Sequence, residues 1–295
     1  MAWEPRRAPR HETREFRGLA HHLVRWGPDS DDPVLLLHGY ADCAATFQFV
    51  ADELPESLPL CAIDWRGFGR SARGGGGSYW FPDYYADLES FADALCPRAP
   101  ARLVGHSMGA NVAMAWAGIR PERVRALVNL EGFGLPRTSL DQAPARIAKW
   151  LDQLREPEEF GDYADAAELA ARIVKRNARI PPERALYVAQ CWSEPRSGGG
   201  VRLLADPAHR LVNPYLYRRE EMEACWRRIE APVLLVLGAE SELVGRLGLE
   251  GGVDGFRPLV RNLRIETVAG SGHMLHHEEP RAVARFVASH FGIAA

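Results

Sequence analysis

The alternation of short apolar runs with amphipathic stretches is the feature that most constrains the fold of this chain. The runs with strand character are LAHHLVRW, PVLLLH, PLCAID, ARLVGH, VRALVNL, PVLLVLG and LRIETV. Stretches with helical periodicity, such as DYYADLESFADAL and PRAVARFVASHF, lie between or after most of them. Because strands that are apolar throughout are typical of a parallel sheet covered on both faces, the sequence predicts an α/β fold. Its active crevice is expected at the carboxyl ends of the strands.

One region, residues 137–213, interrupts this alternation with helical patterns and no clear strand between them. Its apolar faces are carried by Ile147, Trp150, Leu151 and Leu154, by Leu169, Ala170 and Ile173, and by Ala185, Val188, Ala189 and Trp192. The breaker-rich stretches EPEEFGD and EPRSGGG separate these faces. We therefore predict a helical cap over residues 137–213, inserted into a core formed by residues 1–136 and 214–295.

Composition and charge exclude several classes of protein. The chain has 295 residues, of which 46% are hydrophobic and 25% charged, as in ordinary soluble globular proteins. A net charge of -3 offers no long-range attraction for nucleic acid or an anionic membrane. No apolar run approaches the roughly 20 residues of a membrane helix. The expected partner is therefore a small-molecule substrate, with no nucleic acid and no membrane, and the oligomeric state is left open.

Cysteine usage and the N-terminus indicate where the protein works. The five cysteines are scattered and lack C-x-x-C spacing, so neither a disulfide framework nor a metal site is predicted, and a reducing cytoplasm is expected. The N-terminal stretch EPRRAPRHETREFRG is not followed by an apolar segment. We expect a solvated, dispensable arm rather than a signal peptide.

The pentapeptide Gly105-His106-Ser107-Met108-Gly109 follows the strand ARLV and precedes the small-residue helix ANVAMAWAG. A strand, a tight turn and a helix form the context in which G-x-S-x-G places a nucleophilic serine on a strained backbone. The flanking glycines are expected because a Cβ at either position would collide with the neighbouring strand or helix. The alternative is that Ser107 only caps its helix, but this context favours a nucleophile.

A nucleophilic serine needs a base and an oxyanion site. His273 is the predicted base, because it lies in the glycine-rich loop AGSGHM after the last strand, whereas His276 and His277 are expected to be partly exposed. The predicted oxyanion donors are the backbone N–H groups of Met108 and of Tyr40, which follows His38 and Gly39 at the end of PVLLL.

The motifs LLLHGYADCAATF, AIDWRGFGRS, LVGHSMGAN, RPERVRALVNL, PVLLVLGAES and GSGHMLHHEEP together resemble the α/β-hydrolase superfamily, from about residue 19 to 291 apart from the cap. The resemblance implies the α/β-hydrolase fold and a hydrolase without a cofactor. It leaves the substrate open among esterases, lipases, thioesterases, carbon–carbon hydrolases and cofactor-free haloperoxidases. Epoxide hydrolases and haloalkane dehalogenases use an aspartate where this chain has Ser107, so they are disfavoured.

The resemblance also implies a third member, an acid that orients the histidine. In the family this acid most often lies three residues after the glycine of PVLLVLG, which here is Ser241. Glu242 is the preferred candidate because it keeps the loop location. The rival acid is Glu131, at the end of VRALVNL, as in haloalkane dehalogenases with a glutamate after that strand. Glu240 is expected to point away.

Aromatic residues concentrate where the crevice should be covered. The predicted substrate pocket comprises His38, Gly39, His106, Trp80, Phe81 and Phe133. Such a pocket under a helical cap suits an acyl or aryl group. The sequence therefore predicts a serine hydrolase that cleaves a small, largely apolar ester through an acyl-enzyme. Alternatives are a carbon–carbon or thioester hydrolase with the same triad, or a ligand-binding protein that keeps the fold.

Two further sequence features are expected to have structural roles and no part in the chemistry. Asp64 and Arg66, at the end of PLCAID and just after it, resemble family positions that anchor a turn, so a structural role is expected. The four glycines at 74–77 follow no strand–helix pattern of a phosphate loop and are expected to form a flexible loop.

Overall fold

An eight-stranded sheet forms the centre of the computed structural model, which describes residues 3–74, 79–243 and 252–294. The strands are β1 (Arg10–Phe16), β2 (Leu19–Trp26), β3 (Val34–Leu37), β4 (Leu60–Ile63), β5 (Ala101–His106), β6 (Val124–Leu130), β7 (Ser193–Pro195), β8 (Val201–Leu203), β9 (Val233–Gly238) and β10 (Leu263–Val268). The order in the sheet is β1-β2-β4-β3-β5-β6-β9-β10, while β7 and β8 form a separate hairpin.

The helices are α1 (Gln48–Ala51), α2 (Phe81–Leu95), α3 (Met108–Ile119), α4 (Ala143–Arg155), α5 (Ala166–Arg176), α6 (Pro182–Trp192), α7 (Arg219–Trp226), α8 (Leu275–Glu278) and α9 (Pro280–Phe291). Apolar residues of α2, α3 and α7 pack on one face of the sheet, and those of α1 and α9 pack on the other. Within the described ranges, no helix is both long and apolar enough to cross a membrane.

The predicted strands all form, and their pairing follows their composition. Strands β3, β4 and β9 are buried at every position, and the neighbours from β4 through β10 pair in parallel. In this sheet, β2 runs antiparallel to both of its neighbours, β1 and β4. A parallel sheet with helices on both faces buries both sides of its strands, which is why these runs are apolar throughout. The predicted α/β fold is confirmed.

The N-terminal segment is not the solvated arm that the sequence predicts. Residues Arg10–Phe16 form the edge strand β1. Before it, the Arg7 guanidinium is buried and donates to the carbonyl oxygens of Ala51, Leu54, Glu56 and Leu58. One arginine of this polar stretch satisfies four loop carbonyls, and most other polar residues lie on the exposed edge strand, so a count of charges cannot distinguish the segment from a free arm.

Residues 137–213, the cap segment, contain α4, α5 and α6 and also the short hairpin β7–β8, which the sequence did not predict. Helices α5 and α6 share a small apolar cluster with Phe49 of the core. Helix α4 has no buried residue, and its Ile147, Leu151 and Leu154 are all more than 40% exposed. The two halves of the cap segment therefore differ in how firmly they pack.

Candidate active site

Ser107 lies between β5 and α3 and has a positive φ of 49°, a backbone conformation that non-glycine residues rarely adopt. Glycine is needed on both sides of Ser107 because neither Gly105 nor Gly109 has room for a Cβ. A Cβ on Gly105 would lie 2.6 Å from the Cα of Ala110, and a Cβ on Gly109 would lie 2.3 Å from the carbonyl oxygen of Leu37. The predicted reason for the two glycines is thus confirmed, since one faces the helix and the other a neighbouring strand.

His273 lies beside Ser107. The Nε2 atom of His273 is 3.0 Å from Ser107 Oγ, within hydrogen-bond distance for a base and its nucleophile. The side chain of His273 is 33% exposed, so it remains accessible from the crevice. The structure therefore brings together the two residues that the sequence proposed as nucleophile and base.

The carboxylate that meets His273 is Glu131, the rival acid, and not the preferred Glu242. Glu131 Oε2 lies 3.1 Å from His273 Nδ1. Because a carboxylate only accepts, the proton of the neutral imidazole lies on Nδ1 and is donated to Glu131, which leaves Nε2 to accept from Ser107 Oγ. Glu242 is exposed, as is Glu240.

Local geometry explains why the structure selects the earlier strand. Glu131 has a positive φ of 60°, and its side chain is fully buried. Its oxygens also accept from the backbone N–H of Gly238 at 2.7 Å and from Ser241 Oγ at 2.5 Å. The residue at the usual position of the acid, Ser241, therefore donates to an acid that comes from the neighbouring strand.

The turn that carries Glu131 is fixed by Asn129. The side-chain amide of Asn129 donates to the carbonyl oxygen of Gly132 at 2.8 Å, and its oxygen accepts from the backbone N–H of Gly132 at 2.7 Å. This pair of hydrogen bonds closes the turn around residue 131 and holds the unusual backbone angle. An asparagine two residues before the glutamate is the sequence signal for this turn.

The two predicted oxyanion donors flank Ser107. Met108 is the first residue of α3, and an amide in the first turn of a helix has no partner within that helix. The loop that carries Tyr40 passes close by, because a Cβ on Gly39 would lie 3.2 Å from Ser107 Cβ. The side chain of Tyr40 is 50% exposed, and its hydroxyl donates to the carbonyl oxygen of His209. Only the backbone of Tyr40 is therefore available for the predicted role.

His106 and His38 are buried supports. His106 Nε2 lies 2.9 Å from the carbonyl oxygen of His273, and because a carbonyl only accepts, Nε2 carries the proton. Burial holds the pKa of His106 well below its ordinary value, so the ring is neutral. His38 Nε2 accepts from the backbone N–H of Trp65 at 3.0 Å. Both histidines were predicted as pocket residues, but their contacts are with the frame around the site.

The predicted aromatic pocket divides in two. Phe133 is fully buried, and its ring packs against Phe256 in the core, so it does not form a wall of an open pocket. Trp80 and Phe81 are half-buried at the start of α2, where Trp80 contacts Tyr215 edge to face.

Asp64 and Arg66 have the structural role that the sequence predicts, whereas His209 does not stand out in the sequence. Asp64 accepts hydrogen bonds from His22 and from the backbone of Ala44 and Arg70, and Arg66 pairs with Asp87, so the expected structural role of both is confirmed. His209 of the cap segment was missed altogether. It stacks between Phe68 and Tyr79, and burial lowers its pKa to about 3. Of the predicted glycine loop, residues 75–77 lie outside the described residues.

Among the residues that the structure describes, Asp42, His276 and His277 form a group that could offer three metal ligands within 4.8 Å of one another. Both histidines are fully buried, contrary to the prediction that they are partly exposed. Asp42 Oδ2 and His276 Nε2 are 3.1 Å apart, in the geometry of a hydrogen bond. The carboxylate and the imidazole therefore partner each other by a hydrogen bond.

Comparisons with known proteins find similarity to hydrolases. A family model described as alpha/beta hydrolase fold matches residues 32–280. A serine hydrolase-like protein of Danio rerio is 37% identical over 132 residues, which are 44% of this chain and 40% of that protein. The chain thus spans less than half the length of that relative. A 2-(acetamidomethylene)succinate hydrolase of Mesorhizobium japonicum is 27% identical over 86% of this chain and 87% of that protein.

Solved structures point the same way. The thioesterase domain from the curacin biosynthetic pathway superposes with a TM-score of 0.83 and 27% identity, covering 95% of this chain and 99% of that one. The sheet order, the Ser107 turn and the family match over residues 32–280 lead to one conclusion. The chain belongs to the alpha/beta hydrolase fold family.

Proposed function

We propose that the protein is a serine hydrolase that cleaves a small, largely apolar ester through an acyl-enzyme. The observation that carries this proposal is the continuous line from Ser107 Oγ to His273 Nε2 at 3.0 Å and from His273 Nδ1 to Glu131 Oε2 at 3.1 Å. A serine, a histidine and a buried acid in hydrogen-bond contact can generate a nucleophile at neutral pH without a metal.

In the proposed first step, Ser107 Oγ attacks the ester carbonyl carbon while His273 Nε2 takes the hydroxyl proton. The carbonyl oxygen becomes an oxyanion that accepts from the N–H groups of Met108 and Tyr40. The resulting imidazolium is stabilised by Glu131, which stays ionised. When the intermediate collapses, the bond to the alcohol oxygen breaks and His273 gives its proton to that oxygen.

Hydrolysis of the acyl-enzyme repeats these steps with water. His273 takes a proton from the water as the water oxygen attacks the acyl carbon, and it then returns the proton to Ser107 Oγ as the acid leaves. Trp80 and Phe81, which the sequence predicts as pocket residues, are only half-buried, and aromatic rings at a pocket suit an apolar acyl or aryl group. The cap segment is proposed to cover this group.

The test is a panel of p-nitrophenyl esters with acyl chains of increasing length. We expect turnover of the short esters, an initial burst of p-nitrophenol, and a fall in kcat on the order of 10⁴–10⁶ for Ser107→Ala. The thermal midpoint of Ser107→Ala should match that of the native protein. Turnover that survives in Ser107→Ala would contradict the proposed mechanism.

A thioester hydrolase is the second candidate, because the thioesterase domain matches this chain over 95% of its length at 27% identity. The same triad serves both reactions, since a thiolate is the better leaving group. Thioesters and vinylogous diketones therefore belong in the same panel, the latter to test carbon–carbon hydrolysis. Folded protein that binds an apolar ester but turns over none of these substrates would favour the binding-protein alternative.

A further inference from the structure

Asp42 lies two residues beyond Tyr40, and its side chain is 1% exposed. Its Oδ1 atom accepts three hydrogen bonds at 2.8 Å, from the backbone N–H of Cys43, from Thr46 Oγ1 and from Trp192 Nε1. Its Oδ2 atom lies 3.1 Å from His276 Nε2. A buried carboxylate with this many donors is well stabilised as an anion. Nothing in the proposed mechanism uses it.

Asp42 touches the loop that carries the catalytic base. His276 follows His273 by three residues, and its ring packs against that of His106 at a tilt of 41°, with centroids 4.1 Å apart. His106 in turn donates to the carbonyl oxygen of His273. His277 Nε2 is a further 3.5 Å contact of Asp42 Oδ2. The loop behind His273 is therefore held by Asp42 on one side and by His106 on the other.

Asp42 also touches the cap segment. Trp192 is the last residue of α6, and its indole N–H crosses from the cap segment to the core to reach Asp42. Other contacts fix the same seam near the catalytic loop. Arg184 donates to the carbonyl oxygens of His277 and Glu278, and Asn177 donates to the Glu278 carboxylate, which accepts from the backbone N–H of Gly272.

Charge explains why the anion is suited to this place. Burial alone would raise the pKa of Asp42, but His277 and the hydrogen bond from His276 hold it well below its ordinary range. Burial, with the neighbouring His277, lowers the pKa of His276 to about 3, so this ring is a neutral donor. Because the Asp42 carboxylate only accepts, the neutral His276 carries its proton on Nε2 and donates it to Asp42.

We propose that Asp42 is a positioning residue for the triad, and that Trp192 of the cap segment sets the position of Asp42. The proposal rests on the proposed hydrolase function. A single carboxylate then ties together the turn that bears the Tyr40 amide, the loop that bears His273 and the end of α6. Trp192, at the end of α6, is on this view the residue through which the cap segment aligns the reacting groups.

The test compares two single hydrogen bonds made by α6. Trp192→Phe removes the N–H donated to Asp42 and keeps an aromatic ring. Tyr187→Phe, the matched control, removes a hydroxyl that donates to the carbonyl oxygen of Ala45 at 3.5 Å and does not touch Asp42. Measurements are kcat and KM with p-nitrophenyl acetate, the rate of labelling by a fluorophosphonate, and the thermal midpoint.

We expect Trp192→Phe to lower both kcat and the labelling rate by about tenfold, because small misplacements of reacting groups are costly. KM should change less than about twofold, since uniform binding of the ester is retained. Tyr187→Phe should keep the native kcat. Asp42→Asn, which keeps the size but not the charge, should lower kcat at least as much as Trp192→Phe.

Several results would overturn the proposal. If Trp192→Phe lowers only the thermal midpoint and keeps kcat and the labelling rate, the contact is structural. If Tyr187→Phe loses as much activity as Trp192→Phe, the whole seam matters and Asp42 has no special part. Native protein that neither turns over esters nor reacts with the fluorophosphonate would instead reject the hydrolase function itself, so the two failures are distinguishable.

Discussion

At the scale of single residues, Glu131 shows how position and environment assign a role. It sits at a positive φ, fully buried, with hydrogen bonds from Gly238, Ser241 and His273. A non-glycine residue pays a conformational cost in this region of backbone space, and such strain persists where the surroundings hold it in place. The buried carboxyl group of Glu131 is thereby directed at the imidazole before any substrate binds.

Replacing Glu131 or Glu242 with glutamine is expected to lower kcat by very different amounts. Glu131→Gln should lower kcat on the order of 10³–10⁴, because it removes the charge that stabilises the His273 imidazolium. Glu242→Gln should cost roughly tenfold or less, since that side chain is exposed. Initial rates with a saturating p-nitrophenyl ester, measured on folded protein, give the comparison. The reverse ranking would return the acid to the loop after β9.

The sequence could not decide between these acids for a physical reason. Both follow buried strands that end at the same edge of the sheet, and β6 and β9 are direct neighbours. The choice depends on the turn at residue 131 and on the donation from Ser241, which are products of packing between distant segments. Ser107 and His273 were easier, because strand, turn and glycine spacing mark them locally.

At the scale of elements, the buried strands were predictable and the polar edge strand was not. Strands β3 to β6 and β9 carry apolar runs because both of their faces are covered. Strand β1 is the sheet edge, and it reads RHETREF with mostly exposed side chains. A strand with neither an apolar face nor an apolar run gives no periodic signal, so its sequence resembles that of a solvated arm.

The residue before β1 that ties this segment down is Arg7, which gives a test at this scale. Arg7→Ala should lower the free energy of unfolding by about 2–4 kcal/mol, because buried carbonyl oxygens lose their donor. Arg10→Ala, in the same segment, should cost about 1 kcal/mol or less, since the ion pair between Arg10 and Asp29 is exposed. Urea unfolding measures both. Equal losses would show that Arg7 does not anchor the segment.

At the scale of the whole molecule, the site is assembled from segments far apart in the chain. The carboxylate of Asp42 and the ring of His276 are 234 residues apart in sequence. This separation explains why the predicted exposure of His276 and His277 is wrong. Two histidines beside two glutamates are typical of the polar start of a helix, and their distant partner cannot be read from the local sequence. The two histidines are buried because the loop after β3, the segment after β10 and the end of α6 meet at Asp42.

The central claim is that Ser107 is an activated nucleophile, and covalent labelling tests it most directly. Native protein should take up one fluorophosphonate per chain, with the added mass on the peptide that contains Ser107, because labelling needs the base and the oxyanion donors together. Ser107→Ala should remain unlabelled while keeping its fold. Native, folded protein that ignores the probe, or that carries it on a residue other than Ser107, would contradict the account.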